Sequence, residues 1–169
     1  RDDPEARVID LCAAPGGKTM QIADSGPIVT AVDISASRLE VLQENLARTG
    51  LAADIVHADA SQWQPDQPVD TVLLDAPCTA TGTIRRHPDI PRRRHEADIA
   101  SATMLQDRLL NAAVNMVSPG GTIIYAVCSL EPEEGTARID ALLDSGAPVT
   151  LDPISADDWP ELSGLTPSA

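Results

Sequence analysis

The stretch Val8-Ile9-Asp10-Leu11-Cys12-Ala13-Ala14-Pro15-Gly16-Gly17-Lys18-Thr19 decides how this chain is read. Arg7 to Leu11 is a short apolar run that stops at small residues, a proline and two glycines. This reads as a buried strand entering a tight loop, with a helix from Lys18 to Ala23. The pattern repeats downstream. Ile28 to Val32 is a second β-branched run, ending at Asp33. Ser35 suits a helix N-cap, Leu39, Leu42 and Leu46 follow at helical spacing, and Gly50 stands where a helix-ending glycine belongs. Asp54 to His57 reads as a third strand and Thr71 to Leu74 as a fourth, ending at Asp75. Met104 to Val117 reads as a long amphipathic helix closed by Pro119-Gly120-Gly121, and Thr122 to Val127 as a fifth strand. Pro132 suits the first position of a final helix that carries Ile139, Leu142 and Leu143 and stops at Gly146, and Val149 to Leu151 opens one more strand.

Strands alternating with helices at this spacing predict an α/β fold, Rossmann-like, with a doubly wound and mostly parallel sheet. The strands are continuously apolar, as they are when both faces are covered. Ligands of such sheets bind outside the carboxyl ends of the strands. Cys12, Asp33, Asp59, Asp75, Cys78 and Cys128 all fall at or just beyond those ends.

The glycine loop admits three ligands. A phosphate-cradling P-loop needs Gly five residues before Gly17, and Cys12 is there. A dinucleotide fingerprint needs three spaced glycines, and this loop has one adjacent pair. S-adenosylmethionine (SAM) has no phosphate and needs close backbone approach, which Ala13, Ala14, Gly16 and Gly17 allow. Asp33 lies 16 residues after Gly17, close to the roughly 20 expected of a ribose-binding carboxylate. Asp59 could accept from the adenine amino group. The plainer reading of Asp33 is a helix-capping residue before Ser35, and Asp59 taken alone has a purely structural reading as well.

Composition narrows the partners. The 169 residues hold 26 acidic and 12 basic side chains, a net charge of −14, which argues against nonspecific nucleic-acid binding as a bulk property. Five of the basic residues nevertheless fall in one window: Arg85, Arg86, Arg92, Arg93 and Arg94. No apolar run reaches the roughly 18 residues of a membrane span. No signal-peptide pattern is visible, and three widely spaced cysteines make neither a disulfide framework nor a zinc motif, so no metal is expected and a reducing, cytoplasmic setting is. Phe is absent and only Trp63, Trp159 and Tyr125 are aromatic, so the core is aliphatic and base-stacking platforms are scarce.

Cys78 follows the fourth strand and Cys128 the fifth. Adjacent parallel strands lie about 4.8 Å apart. Neighbouring strands would bring both thiols to one edge beside the glycine loop, with Lys18, Arg85 and Arg86 as candidate cations to lower a thiol pKa. A single Cys is more often a small buried hydrophobe. Two at a SAM loop suit methylation of a pyrimidine ring carbon. Carbon 5 of cytosine becomes nucleophilic when a thiolate adds to carbon 6, and an acid such as Asp75 at ring nitrogen 3 would stabilise the adduct.

Three stretches then resemble the Sun-type (RsmB/Fmu) RNA cytosine-5 methyltransferases: Val8 to Thr19, Asp75 to Ile90, which contains Arg85-Arg86-His87-Pro88-Asp89, and Tyr125 to Glu134. The resemblance covers Val8 to Gly146 and implies a Rossmann-like SAM-dependent methyltransferase core over residues 1–150. It leaves 151–169 as a loop-like remnant, lacks part of the C-terminal strands, and has no N-terminal RNA-binding domain in this chain. It implies that Cys12, Ala13, Ala14, Pro15, Gly16, Gly17 and Lys18 form the SAM loop, with Asp33, Asp59 and Asp75 as further contacts. Cys128 would be the nucleophile, Cys78 would assist product release, and Asp75 would touch the base. The implied substrate is small-subunit ribosomal RNA, with the five arginines as its phosphate contacts; the plainer reading of that segment is a solvated loop paired with Asp89, Glu96 and Asp98. Val127 departs from the family's usual Thr before the nucleophile. Two other readings stay open: a SAM-binding module without catalysis, and a methyltransferase acting on another substrate.

Overall fold

The computed structural model describes residues 5–153. Its core is a five-stranded, wholly parallel sheet in the order β3-β2-β1-β4-β5, built from β1 (Arg7–Leu11), β2 (Ile28–Asp33), β3 (Asp54–His57), β4 (Val69–Asp75) and β5 (Val117–Ala126). Helices α1 (Gly17–Asp24) and α2 (Ala36–Thr49) connect the first three strands. Between β4 and β5 come a 3-10 turn at Thr81–Thr83, the short α3 (Ile90–Arg93) and the long α4 (Glu96–Met116); α5 (Thr136–Asp144) follows β5. This is the doubly wound arrangement expected from the sequence.

Alternation of side chains along the strands divides the core into two layers. Ile9, Leu11, Val32, Val72 and Leu74 pack with Leu109, Leu110, Ala113 and Met116 of α4 and Leu142 of α5. On the opposite face Ala31 packs with Leu39, Leu42 and Leu46 of α2 and with Ala13 and Ala14 of the loop. Ser35 accepts from the Arg38 N–H as the α2 cap, and Gly50 ends that helix with φ +71°.

Four details differ from expectation. α4 begins at Glu96 rather than Met104, because a His95–Asp98 capping box starts it two turns earlier, in a segment too exposed to show apolar periodicity. Pro119-Gly120-Gly121 does not separate helix from strand but lies within β5. There the register moves from Val69↔Val117 to Thr71↔Thr122, a bulge on an edge strand. The final helix begins at Thr136, not at Pro132, since residues 131–135 form tight turns with Glu134 N–H donating to the Glu131 carbonyl. Residues 149–151 form no strand. Most of the tail from Asp152 onward, Trp159 included, lies outside the described residues.

The strand order reverses between β1 and β4, whose partners lie on opposite sides. A crevice opens at such a switch point, outside the strand carboxyl ends.

Candidate active site

At that crevice lies a cavity of about 240 Å³ lined by Asp10, Cys12, Ala13, Ala14, Pro15, Gly17, Lys18 and Asp75. The loop after β1 is shaped by its small residues. Gly16 caps α1 with φ +100°, and a Cβ there would come 2.8 Å from Leu42 Cγ, so only glycine lets α2 pack this closely. Cys12 also takes a left-handed conformation, φ 61°. Burial, with Asp33 and Asp10 adding to it, pushes the Cys12 thiol up to about 12, so it is a neutral lining group.

Two carboxylates shape the electrostatics. Asp10, buried in β1, accepts the Thr19 hydroxyl at 2.6 Å, but its Oδ1 is buried without a hydrogen-bond partner among the described residues. Burial, reinforced by nearby Asp75, raises it from 3.8 to about 6, against the Thr19 bond. Asp75, at the end of β4, pairs with Lys18 at 2.5 Å. Lys18 is therefore engaged by a carboxylate and is not free to serve a thiol.

Asp33 and Asp59 are placed differently. Asp33 is buried, accepts from the Ala14 N–H at 3.0 Å and the Ser35 N–H at 2.9 Å, and lies 3.6 Å from the Arg38 guanidinium. It ties the glycine loop to the start of α2. Arg38 also donates to the Ala14 carbonyl. Asp59 accepts from the Ser61 N–H and hydroxyl and from Gln62. The Ser61 bonds hold its carboxyl below the ordinary range. Neither residue lines the cavity as it stands.

The two cysteines do meet. β4 and β5 are neighbours, and Cys78 Sγ lies 3.4 Å from Cys128 Sγ. Cys128 is exposed, whereas Cys78 is half-buried. Burial, and then the hydrogen bond with Cys128, push the Cys78 thiol up to about 11. The expectation that nearby cations lower a thiol pKa fails for Cys78, because burial raises it, no cation is among its main influences, and Lys18 is held by Asp75. A protonated Cys78 thiol at 3.4 Å can donate to the Cys128 sulfur.

Sequence reasoning missed Asp10 and Glu134 as site residues. Glu134 is fully buried and accepts from Thr79, Ser129 and Gln106, at the foot of the thiol pair. A buried aspartate inside a strand next to a glycine loop was the available signal for Asp10; Glu134 lay in a turn that local periodicity does not mark.

The five arginines are all exposed, in the segment between β4 and α4. Arg93 pairs with Asp89 at 3.1 Å, and Arg94 donates to the Thr79 carbonyl, linking that segment to the Cys78 loop. Asp98 is engaged in capping His95. Arg85, Arg86 and Arg92 make no ion pair with the described residues.

The fold is Rossmann-like α/β, of the kind found in SAM-dependent methyltransferases. A family model, 16S rRNA methyltransferase RsmB/F, matches residues 2–165, and the chain belongs to that family. It is 44% identical over 163 residues to ribosomal RNA small subunit methyltransferase B of Salmonella arizonae, covering 94% of this chain and 38% of that protein. The crystal structure of PH0851 superposes with a TM-score of 0.86 at 34% identity, over 92% of this chain and 37% of that one. NSun6 from Pyrococcus horikoshii, solved with SFG, gives 0.78 at 30% identity, over 90% and 41%. The chain thus spans well under half the length of these relatives.

Proposed function

We propose that this chain carries out SAM-dependent methylation of carbon 5 of a cytosine in RNA, with small-subunit ribosomal RNA as the substrate. One observation carries the reading: an exposed and a half-buried thiol stand 3.4 Å apart at the ends of adjacent strands, beside an acidic cavity under a glycine loop. Family membership supports the substrate class.

The residues present fit SAM. The orphaned Oδ1 of Asp10 suits the ammonium of its amino-acid end, and an acidic lining suits a sulfonium. Cys12 to Lys18 would hold that end, with the Gly16 turn giving backbone access and Lys18 facing the carboxylate. Asp33 and Asp59 would serve the ribose and adenine through acceptor capacity left over from their present bonds. When bound, SAM supplies an electrophilic methyl group.

Cys128, the exposed member of the pair, adds its sulfur to carbon 6 of the flipped cytosine, and the electron pair released makes carbon 5 nucleophilic. Asp75 stabilises the adduct as an acid toward ring nitrogen 3, so Lys18 must yield that carboxyl when the base enters. After carbon 5 takes the methyl, its proton passes to solvent water acting as the base, and the electron pair left behind re-forms the ring double bond and expels Cys128 from carbon 6 as the thiolate. Cys78, kept protonated by burial, donates a hydrogen bond to the Cys128 sulfur as that sulfur leaves carbon 6, and so assists product release. Arg85, Arg86, Arg92, Arg93 and Arg94 hold phosphates while the base is flipped out.

Labelled-methyl transfer to unmodified ribosomal RNA tests this. Cys128→Ser should abolish transfer, and Cys78→Ser should trap a covalent protein–RNA adduct on a denaturing gel. Full activity in Cys128→Ser would refute the adduct and favour another methyl acceptor. SAM binding with no turnover on any RNA would favour a binding module.

A further inference from the structure

Glu134 is a fully buried carboxylate that the proposed reaction does not use. It has no ion-pair partner among the described residues. Four donors surround it instead: the Thr79 N–H at 2.9 Å, the Thr79 hydroxyl, the Ser129 hydroxyl at 2.6 Å and the Gln106 amide at 3.1 Å. Its backbone carbonyl also accepts the Tyr125 hydroxyl at 2.7 Å. Burial pushes its carboxyl up, but the bonds from Ser129 and Thr79 outweigh that and hold it below the usual range. The donors thus satisfy a charge that burial alone would penalise. An apolar side chain in its place would leave those buried donors unpaired, so the carboxylate and its donors act as one unit.

The donors indicate what that unit does. Thr79 is the residue after Cys78, and Ser129 is the residue after Cys128. Gln106, itself fully buried, also donates to the Pro77 carbonyl on the other side of Cys78. One carboxylate thus grips both cysteine loops at the adjoining residues. We infer that Glu134 is a positioning residue: its carboxylate clamps Thr79 to Ser129 and so sets the Cys78 and Cys128 sulfurs at contact distance. Its catalytic consequence rests on the reading of those thiols as the reacting pair.

The two loops have other ties. Gly82 N–H donates to the Cys128 carbonyl at 3.0 Å, Leu130 N–H to the Thr81 hydroxyl at 2.9 Å, and Ala76 N–H to the Ala126 carbonyl at 2.9 Å. A Cβ at Gly82 would lie 2.9 Å from the Cys128 carbonyl oxygen, so this approach is already close. These ties remain in Glu134→Gln. That variant should therefore fold while losing the clamp, because a carboxamide has one acceptor oxygen and turns its NH2 toward the donors.

Two measurements on the purified protein decide it. The first needs no RNA: diamide takes the two thiol hydrogens and closes Cys78 onto Cys128, and the closure rate reports their alignment. Glu134→Gln should close roughly tenfold more slowly than wild type at unchanged circular dichroism. The second is methyl transfer, where kcat should fall by about 10²-fold with the KM for SAM within about twofold of wild type. Wild-type closure in Glu134→Gln overturns the inference, even if transfer falls. Should Glu134→Gln not fold, Ser129→Ala and Thr79→Val remove the hydroxyl donors one at a time. Slow closure in each supports the clamp, and wild-type closure in both overturns it. Slow closure in a protein that transfers no methyl to RNA would leave the clamp standing and sink the methylation reading instead.

Discussion

Replacing Asp10 by Asn should change how stability depends on pH, by an amount the structure sets. Asp10 is buried, one oxygen lacks a partner, and its folded-state pKa is raised from 3.8 to about 6, chiefly by burial. Between those values the folded protein holds a proton that the unfolded chain has released. Stability from this group is therefore full below pH 3.8 and is lost as pH rises through about 6. The whole difference is worth about 3 kcal/mol at 1.36 kcal/mol per pH unit. From pH 5 to 7.5 about 1.4 kcal/mol of it is lost. Asp10→Asn cannot titrate, so unfolding free energies from urea titrations across that range should fall by about 1.4 kcal/mol more in wild type than in the variant. The same carboxylate is assigned to the ammonium of SAM, so calorimetry should show the variant binding SAM about tenfold to a hundredfold more weakly at pH 7.5. Identical pH slopes in the two proteins would refute the reasoning about burial. Equal SAM affinity would refute the assignment of the orphaned oxygen.

Three other outcomes are expected. Gly16→Ala has to hold φ +100° with its methyl against Leu42, so thermal unfolding should show a loss of about 1–3 kcal/mol together with weakened SAM binding. Replacing Arg85, Arg86 and Arg92 by Ala should weaken RNA binding without changing SAM affinity, and every phosphate left without its arginine should flatten the log–log salt slope by about 0.7 to 0.9. An unchanged slope would return those side chains to solvent. With Cys128 replaced by Ser, iodoacetamide labelling of Cys78 should be slow at neutral pH and rise about tenfold per pH unit toward pH 9, because burial holds that thiol near 11.

Much of the architecture was legible in local sequence. Burial on both faces makes parallel strands read as apolar runs, so Arg7–Leu11 and Ile28–Asp33 are legible nearly to the residue. Glycine-rich and acidic residues at strand ends followed from the same pattern. Legibility failed where nonlocal bonds override periodicity: α4 starts early on a capping box, and Glu134 pulls residues 131–135 into turns ahead of α5.

By itself the sequence determined the alternation of strands and helices, the edge on which reactive groups gather, and the resemblance carried by three motifs. These depend on neighbours a few residues apart, where the periods of strand and helix operate. Tertiary structure alone decided that β4 lies beside β5, which brings thiols 50 residues apart to 3.4 Å. It also decided which thiol is buried, that Lys18 serves Asp75, and that Asp10 keeps an unpartnered oxygen. Strand order and burial belong to the folded whole, and pKa values and hydrogen-bond partners follow from them rather than from spacing along the chain.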